Sequence, residues 1–324
     1  MTLAPIPALV AVLFCAALFI LLFQYLFPRP APWRLAGAAL LAGILCTLLL
    51  SVMLHRFVET GLSSFDGLTS LSAALPFAIW RIGLPEEAAK SLAALLALIP
   101  FWRRATPAQA FQTSLFVAVG FAIVENQGYA TAFGQHAMLM AFGRGFLATL
   151  THSLLAMIFG LFLMRFAARG WRDWHLPVIG YLVAAGAHAL YDTGMLPILS
   201  EFLRTNNVST PTVVTAAPVV VGGIALVLIG GLWSLRRAIR RAAEEDAISA
   251  EPRHQAVVRR WRWSGNLLLL LGLVGLVAAI ATGIYAESPE GGDMADLGAA
   301  LLIAIGFAAT VFAMVLGWVL RQKR

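Results

Sequence analysis

Stretches of about twenty apolar residues, the length at which a helix crosses a bilayer, recur from one end of this chain to the other. Of its 324 residues 60% are hydrophobic and only 12% charged, more apolar surface than a soluble domain can cover. The expected fold is all-α, a polytopic transmembrane helical bundle. About nine spans are predicted, near 6–27, 35–54, 75–100, 110–133, 143–166, 176–199, 212–235, 265–285 and 296–320. The first segment lacks a basic n-region and a small-residue cleavage site, so it reads as a retained span rather than a signal peptide. Cys15 and Cys46 fall inside spans and suggest neither a disulfide framework nor a cysteine metal site.

The formal charge of +7 does not point to nucleic acid, because the charges gather in short loops at alternate ends of the spans. One side carries Arg29 and Arg34, Arg103 and Arg104, then Arg165, Arg169 and Arg172. The stretch from Arg236 to Arg262 and the tail Arg321, Lys323 and Arg324 belong to the same side. The other side carries Arg56, Arg204 and the acidic residues Glu287, Glu290 and Asp293. The basic side should be cytoplasmic, which puts the N-terminus outside and the C-terminus in the cytoplasm.

Three regions follow from this layout: an N-terminal transmembrane hairpin (1–66), a core (67–204) and accessory C-terminal spans (205–324) with an arginine-rich cytoplasmic loop at 236–264. That loop, with Trp261 and Trp263, reads as an amphipathic linker on anionic lipid. The pairs Gly222-Gly223 and Gly230-Gly231 should permit close helix packing. Residues 66–100 are too long for one crossing, and Pro85 interrupts them. The expectation is a half-buried stretch up to Leu84 and a helix starting at Pro85. Glu86 and Glu87 would then occupy its first turn, where the helix dipole favours carboxylates.

Ionisable residues inside apolar spans cost several kcal/mol each unless they meet partners or water, so each is a candidate for function. The core holds Glu86, Glu87, Lys90, Glu125, His152, His188 and Asp192 in such positions, while the flanking spans hold none. At about 1.5 Å per residue, Glu125, His152, His188 and Asp192 lie roughly 10–16 Å below the outer ends of their spans. The glutamate pair falls in the same band if its span begins near Leu75. Bland roles exist for each: a buried ion pair for Glu86 with Lys90, an interhelical hydrogen bond for Glu125 with Asn126, simple packing for either histidine. Their shared depth argues instead for one water-accessible cavity in the outer half of the bilayer. His55, His136, His175 and His254 lie in or near loops and receive no role.

Helical spacing turns Glu86 toward Lys90 and His188 toward Asp192, each pair four residues apart. Lys90 can neutralise Glu86 or hold Glu87, and Asp192 can orient or charge-stabilise His188. Arg144 lies two turns before His152, near the outer surface. The chain has no His-Glu-x-x-His run, no Gly-x-Ser-x-Gly elbow and no Gly-x-Gly-Asp motif. Carboxylate and imidazole remain, and two plans for amide hydrolysis use them. A glutamate can serve as general base toward a water while histidines donate to the oxyanion. Alternatively, two histidines and a glutamate form a three-ligand Zn2+ site with an open position, the candidate set being Glu125, His152 and His188.

The stretch Pro85-Glu86-Glu87-Ala88-Ala89-Lys90 is similar to the Glu-Glu-x-x-Lys motif of the PrsW family of intramembrane proteases. Three further stretches resemble that family in order: Gly120 to Asn126 with Tyr129, Arg144-Gly145 leading to His152 and Gly160, and His188 to Asp192. The family resembles the type II CAAX-prenyl proteases, whose Glu-Glu, His and His-x-x-x-Asn/Asp pattern carries over onto Glu86-Glu87, His152 and His188 with Asp192. The resemblance, over residues of about 75–200, implies membrane-embedded proteolysis in a bacterial plasma membrane. The implied substrates are single-span membrane proteins such as anti-sigma factors, cut on their extracytoplasmic side. By the same carry-over Glu86 activates water, Glu87 supports it, His152 and His188 bind the oxyanion or a metal, and Asp192 assists His188. Glu125 is open between ligand and structural partner. Two other classes compete: a proton- or ion-coupled transporter using the buried groups as a relay, and a non-catalytic membrane scaffold. Against the transporter, there is no inverted repeat and the polar residues cluster at one depth. A CAAX-type peptidase would want a cytoplasm-facing site, contrary to this topology.

Overall fold

The computed structural model describes residues 6–57, 67–132, 137–205 and 209–247. Among these residues every element is helical. In chain order they are α1 (Ile6–Leu26), α2 (Trp33–Phe57), α3 (Leu71–Phe77), a π-helical segment (Ala78–Gly83), α4 (Leu84–Leu98) and a 3-10 turn (Ile99–Phe101). They continue with α5 (Pro107–Ala132), α6 (Ala137–Arg169), a second 3-10 turn (Gly170–Asp173), α7 (His175–Thr205) and α8 (Thr210–Ala247). Among the described residues five stretches are long and apolar enough to cross a membrane: Ile6–Leu26, Trp33–Val52, Pro107–Ala132, Ala141–Asp173 and Val214–Glu245. The predicted third and sixth spans correspond to α3–π–α4 and to α7, helices that carry charged candidates on their inner faces. The predicted spans 265–285 and 296–320, and the arginine-rich loop beyond residue 247, lie outside the described residues.

The helices fall into two compact units. The first comprises Ala31–Val124 and Thr151–Ala238. In it α2 packs on α4, and α7 packs on α3, the π segment and α4. Glycines set the closest approaches. A Cβ added to Gly43 of α2 would meet the Val117 carbonyl of α5, and one added to Gly120 of α5 would meet the Leu40 carbonyl. Gly83, at the end of the π segment, likewise lies against Ala185 and Ala189 of α7, so the start of α4 is drawn onto that helix. Of the predicted glycine pairs, Gly223 lies against Tyr191 and Gly231 against Leu154, while Gly222 faces open space. Phe111, Phe116, Phe121, Leu155 and Leu163 fill the interior. Buried polar groups tie helices together: Ser114 Oγ donates to the Ala156 carbonyl at 2.9 Å, joining α5 to α6.

The second unit contains the described residues of Met1–Pro30, Glu125–Leu150 and Ile239–Arg324. Here Phe19 stacks at 5.7 Å on Phe146, and Gly145 sits against Cys15. The outer face of α1 is apolar and open, with Ile6 77% and Leu21 60% exposed. With Phe19, Phe23 and Leu26 packed inward and other large apolar side chains facing out, α1 is suited to a lipid surround.

The run from Leu71 to Phe101 departs from expectation. Ser70 caps its start by accepting from the Ala73 N–H at 3.3 Å, and the chain then stays helical without a break. Pro85 does lie in the first turn of α4. That turn is no free terminus, however, because the π segment feeds into it and the Leu84 N–H donates to the Ile79 carbonyl. With those amides occupied, the helix dipole is not the main support for Glu86 and Glu87; side chains supply it.

A carboxylate and imidazole cluster inside the helices

Glu86, Glu87 and Lys90 project from α4, His152 from α6, and His188 and Asp192 from α7, all within the first unit. Glu87 is the hub. Its Oε1 accepts from Lys90 Nζ at 2.6 Å and from His188 Nδ1 at 2.9 Å. Lys90 Nζ also lies 3.0 Å from His152 Nδ1, 3.6 Å from Glu86 Oε2 and 4.3 Å from the centre of the Phe121 ring. His188 Nε2 lies 3.2 Å from Asp192 Oδ2. The two imidazole rings meet edge-on at 5.7 Å, and Phe121 packs against His152 at 5.2 Å.

These contacts assign ring atoms to roles. A carboxylate only accepts, so His188 donates from Nδ1 to Glu87. An ammonium only donates, so His152 accepts at Nδ1 and the neutral ring carries its proton on Nε2. Glu87, Lys90, His152 and His188 are all at most 4% exposed. The side chains of Glu86 and Asp192 keep 14% and 16%. The cluster therefore has a sealed interior and two carboxylates at its rim. Lys90 was expected to serve either glutamate; it makes its short contact with Glu87 and a longer one with Glu86.

One donor atom each from Glu86, His152 and His188 lies within 4.8 Å of the others. An oxygen and two imidazole nitrogens form the donor set of many catalytic zinc sites, so the chemistry of these residues fits a divalent metal. The group holds Glu86 where the sequence suggested Glu125. Glu125 is described in the second unit, where its carboxylate accepts from Arg144 at 3.0 Å. The Arg144 guanidinium lies 3.5 Å over the Tyr129 ring, and Asn126 Nδ2 donates to Thr149 Oγ1 at 3.3 Å. Glu125 thus pairs with Arg144, and Asn126 with Thr149, within the second unit.

Two contributors were not singled out from sequence. Phe121 provides an aromatic floor under both Lys90 and His152. Tyr181 donates from its hydroxyl to the Leu84 carbonyl at 3.3 Å, tying α7 to the start of α4. Its position seven residues before His188 puts it on the same face of α7 and was the available signal. No curated protein and no solved structure matches the chain. The sequence profile of the PrsW family, described as intramembrane metalloproteases, matches residues 31–223, more than half of the chain and every residue of the cluster.

Proposed function

The chain belongs to the PrsW family of intramembrane metalloproteases, and from that premise we propose that it hydrolyses peptide bonds of single-span membrane proteins near the extracytoplasmic face of a bacterial plasma membrane. Anti-sigma factors are the substrate class that the family resemblance suggests. The carrying observation is the cluster of Glu86, Glu87, Lys90, His152, His188 and Asp192 held between apolar helices. So many ionisable groups at one point inside a bundle would be destabilising without a task.

In this reading Glu86 is the general base, because it is the glutamate that keeps access to water. It takes a proton as the water oxygen bonds to the scissile carbonyl carbon, and the carbonyl electrons move onto oxygen. His152, whose Nε2–H points away from Lys90, donates to that oxyanion, and His188 does so by turning its Nε2–H from Asp192 to the oxyanion. Glu86 then returns the proton to the amide nitrogen as the carbon–nitrogen bond breaks, leaving a carboxyl and an amine. Glu87 and Lys90 do not touch the substrate. Glu87 fixes His188 through Nδ1, Lys90 fixes the tautomer of His152, and Asp192 steadies the far edge of His188. Glu86, His152 and His188 would hold a divalent metal, which would supply Lewis-acid polarisation of water or carbonyl in place of the Glu86 base. Glu87 would hold His188 through Nδ1 in that case too, whereas the Nε2–H tautomer of His152 that Lys90 fixes would have to be given up.

The test is a membrane cleavage assay on a panel of co-expressed single-span substrates, comparing wild type with Glu86→Gln and His188→Ala at matched expression. Cleavage by wild type that is absent in both variants is the expected result. Cleavage that survives both variants would assign the cut to another protease and remove the cluster from the mechanism.

A further inference from the structure

The three helices that carry the cluster also share a far end. After α4 the chain turns through Trp102, Arg103 and Arg104, and between α6 and α7 it turns through Gly170–Asp173. Aromatic rings join these turns: Trp102 lies 5.1 Å from Phe166 and 6.4 Å from Trp171, and Phe166 lies 5.5 Å from Trp171. Gly170, at φ 76°, adopts the left-handed conformation that ends α6 and turns the next residues outward. Trp171 is 77% exposed and Trp174 63%. Arg103, Arg104, Arg169 and Arg172, within three residues of Trp102 or Trp171 in the chain, are exposed. Among the described residues Arg169 is paired with Asp173 at 3.2 Å; Arg103, Arg104 and Arg172 have no acid within ion-pair distance.

Helix length places this patch relative to the cluster. Along the helical residues from Glu87 to Phe101, from His152 to Arg169 and from His188 back to His175, the rise is about 20–26 Å. A hydrocarbon core is roughly 30 Å thick. Three arms of similar length put the patch at the opposite membrane interface from a cluster in the outer half. Tryptophans at that level sit among headgroups, and unpaired arginines there attract anionic lipid.

We propose that the aromatic junction of Trp102, Phe166 and Trp171, ringed by Arg103, Arg104 and Arg172, is a binding site for the headgroup of an anionic phospholipid. The phosphate meets guanidinium groups from two different turns, so one lipid braces the far ends of α4, α6 and α7 together. Charge complementarity favours this occupant: three unpaired cations at headgroup depth, flanked by exposed indoles, match a phosphodiester with a second negative or hydroxylated group.

The full-length protein in nanodiscs of phosphatidylcholine alone, or of an equal mixture with phosphatidylglycerol, provides the test. The readouts are the lipids retained in native mass spectrometry and the thermal midpoint. Wild type is expected to retain phosphatidylglycerol selectively and to melt higher in its presence. The triple variant Arg103→Gln, Arg104→Gln, Arg172→Gln should lose that selectivity by about fivefold per arginine, roughly a hundredfold in all. The matching lysine variant, which preserves charge, should keep most of it. Equal retention of both lipids by wild type, or an unchanged preference in the glutamine variant, would overturn the inference. Displacement of the lipid by millimolar inorganic phosphate would show a free-anion site and overturn the lipid as occupant.

Discussion

Glu86 and Glu87 are neighbours in sequence, yet the side chains around them assign opposite tasks. Glu86→Gln removes the exposed base, and cleavage should fall by about 10²–10⁴-fold, with the thermal midpoint in detergent unchanged. Glu87→Gln strands Lys90 and His188 in the sealed interior, and loss of one member of such a buried set costs about 3–5 kcal/mol. That variant should melt well below wild type, which a thermal scan would detect before any activity measurement. Lys90 is a resident cation beside donors that also fit a metal. Lys90→Leu should therefore bind Zn2+ more tightly by at least about tenfold, since a single charge a few ångströms away is worth several kcal/mol at a protein-like dielectric. Metal titration of the chelator-treated protein reads this out, with Lys90→Arg expected to behave as wild type. The residues of the cluster were visible in the sequence because charge in an apolar run has few innocent explanations. Their pairing was not: i+3 and i+4 partners are equally near on a helix, so only packing decides that Lys90 takes Glu87. Nor does spacing reveal that Arg144 pairs with Glu125.

Helices that carry polar groups into an apolar surround must be held at fixed spacing, and here glycine does that at the crossing of α2 and α5. Gly43 and Gly120 each face a backbone carbonyl of the other helix, so no side-chain shift can make room for a larger residue. Gly43→Val should force the helices apart at a cost of about 1–3 kcal/mol or more, seen as a lower midpoint and loss of cleavage with helical content retained by circular dichroism. The long apolar elements were legible from hydropathy, since α1, α2, α5, α6 and α8 match predicted spans. The run from Leu71 to Phe101 was harder. Proline was read as a boundary, and it does mark the start of α4, but a π turn carries the helix through it. A π turn has no composition of its own. It arises where tertiary contacts, here Gly83 on α7, reward an extra residue in the turn.

Orientation and depth belong to the whole chain. The alternation of basic loops predicts an extracytoplasmic N-terminus and a cytoplasmic Arg103–Arg104 turn; reporter fusions placed at residue 1 and after residue 104 should give opposite signals in a topology assay. The same orientation, if the assay bears it out, would put the aromatic and arginine patch at the inner interface and the cluster near the outer one. Charge bias in loops was readable without a structure because it is set by insertion, not by packing. The recessed cluster has a consequence for what can be cut. A peptide bond inside an intact helix has its carbonyl committed to the turn that follows, and lipid offers no substitute partner. Such a bond cannot reach a carboxylate set back among four helices until the segment around it unwinds. If single-span proteins are the substrates, as proposed, choice among them should depend less on side-chain pockets than on how readily a span frays. Placing a Gly-Pro pair beside the scissile bond should speed cleavage, and a run of leucines there should slow it, in the same membrane and with the same enzyme.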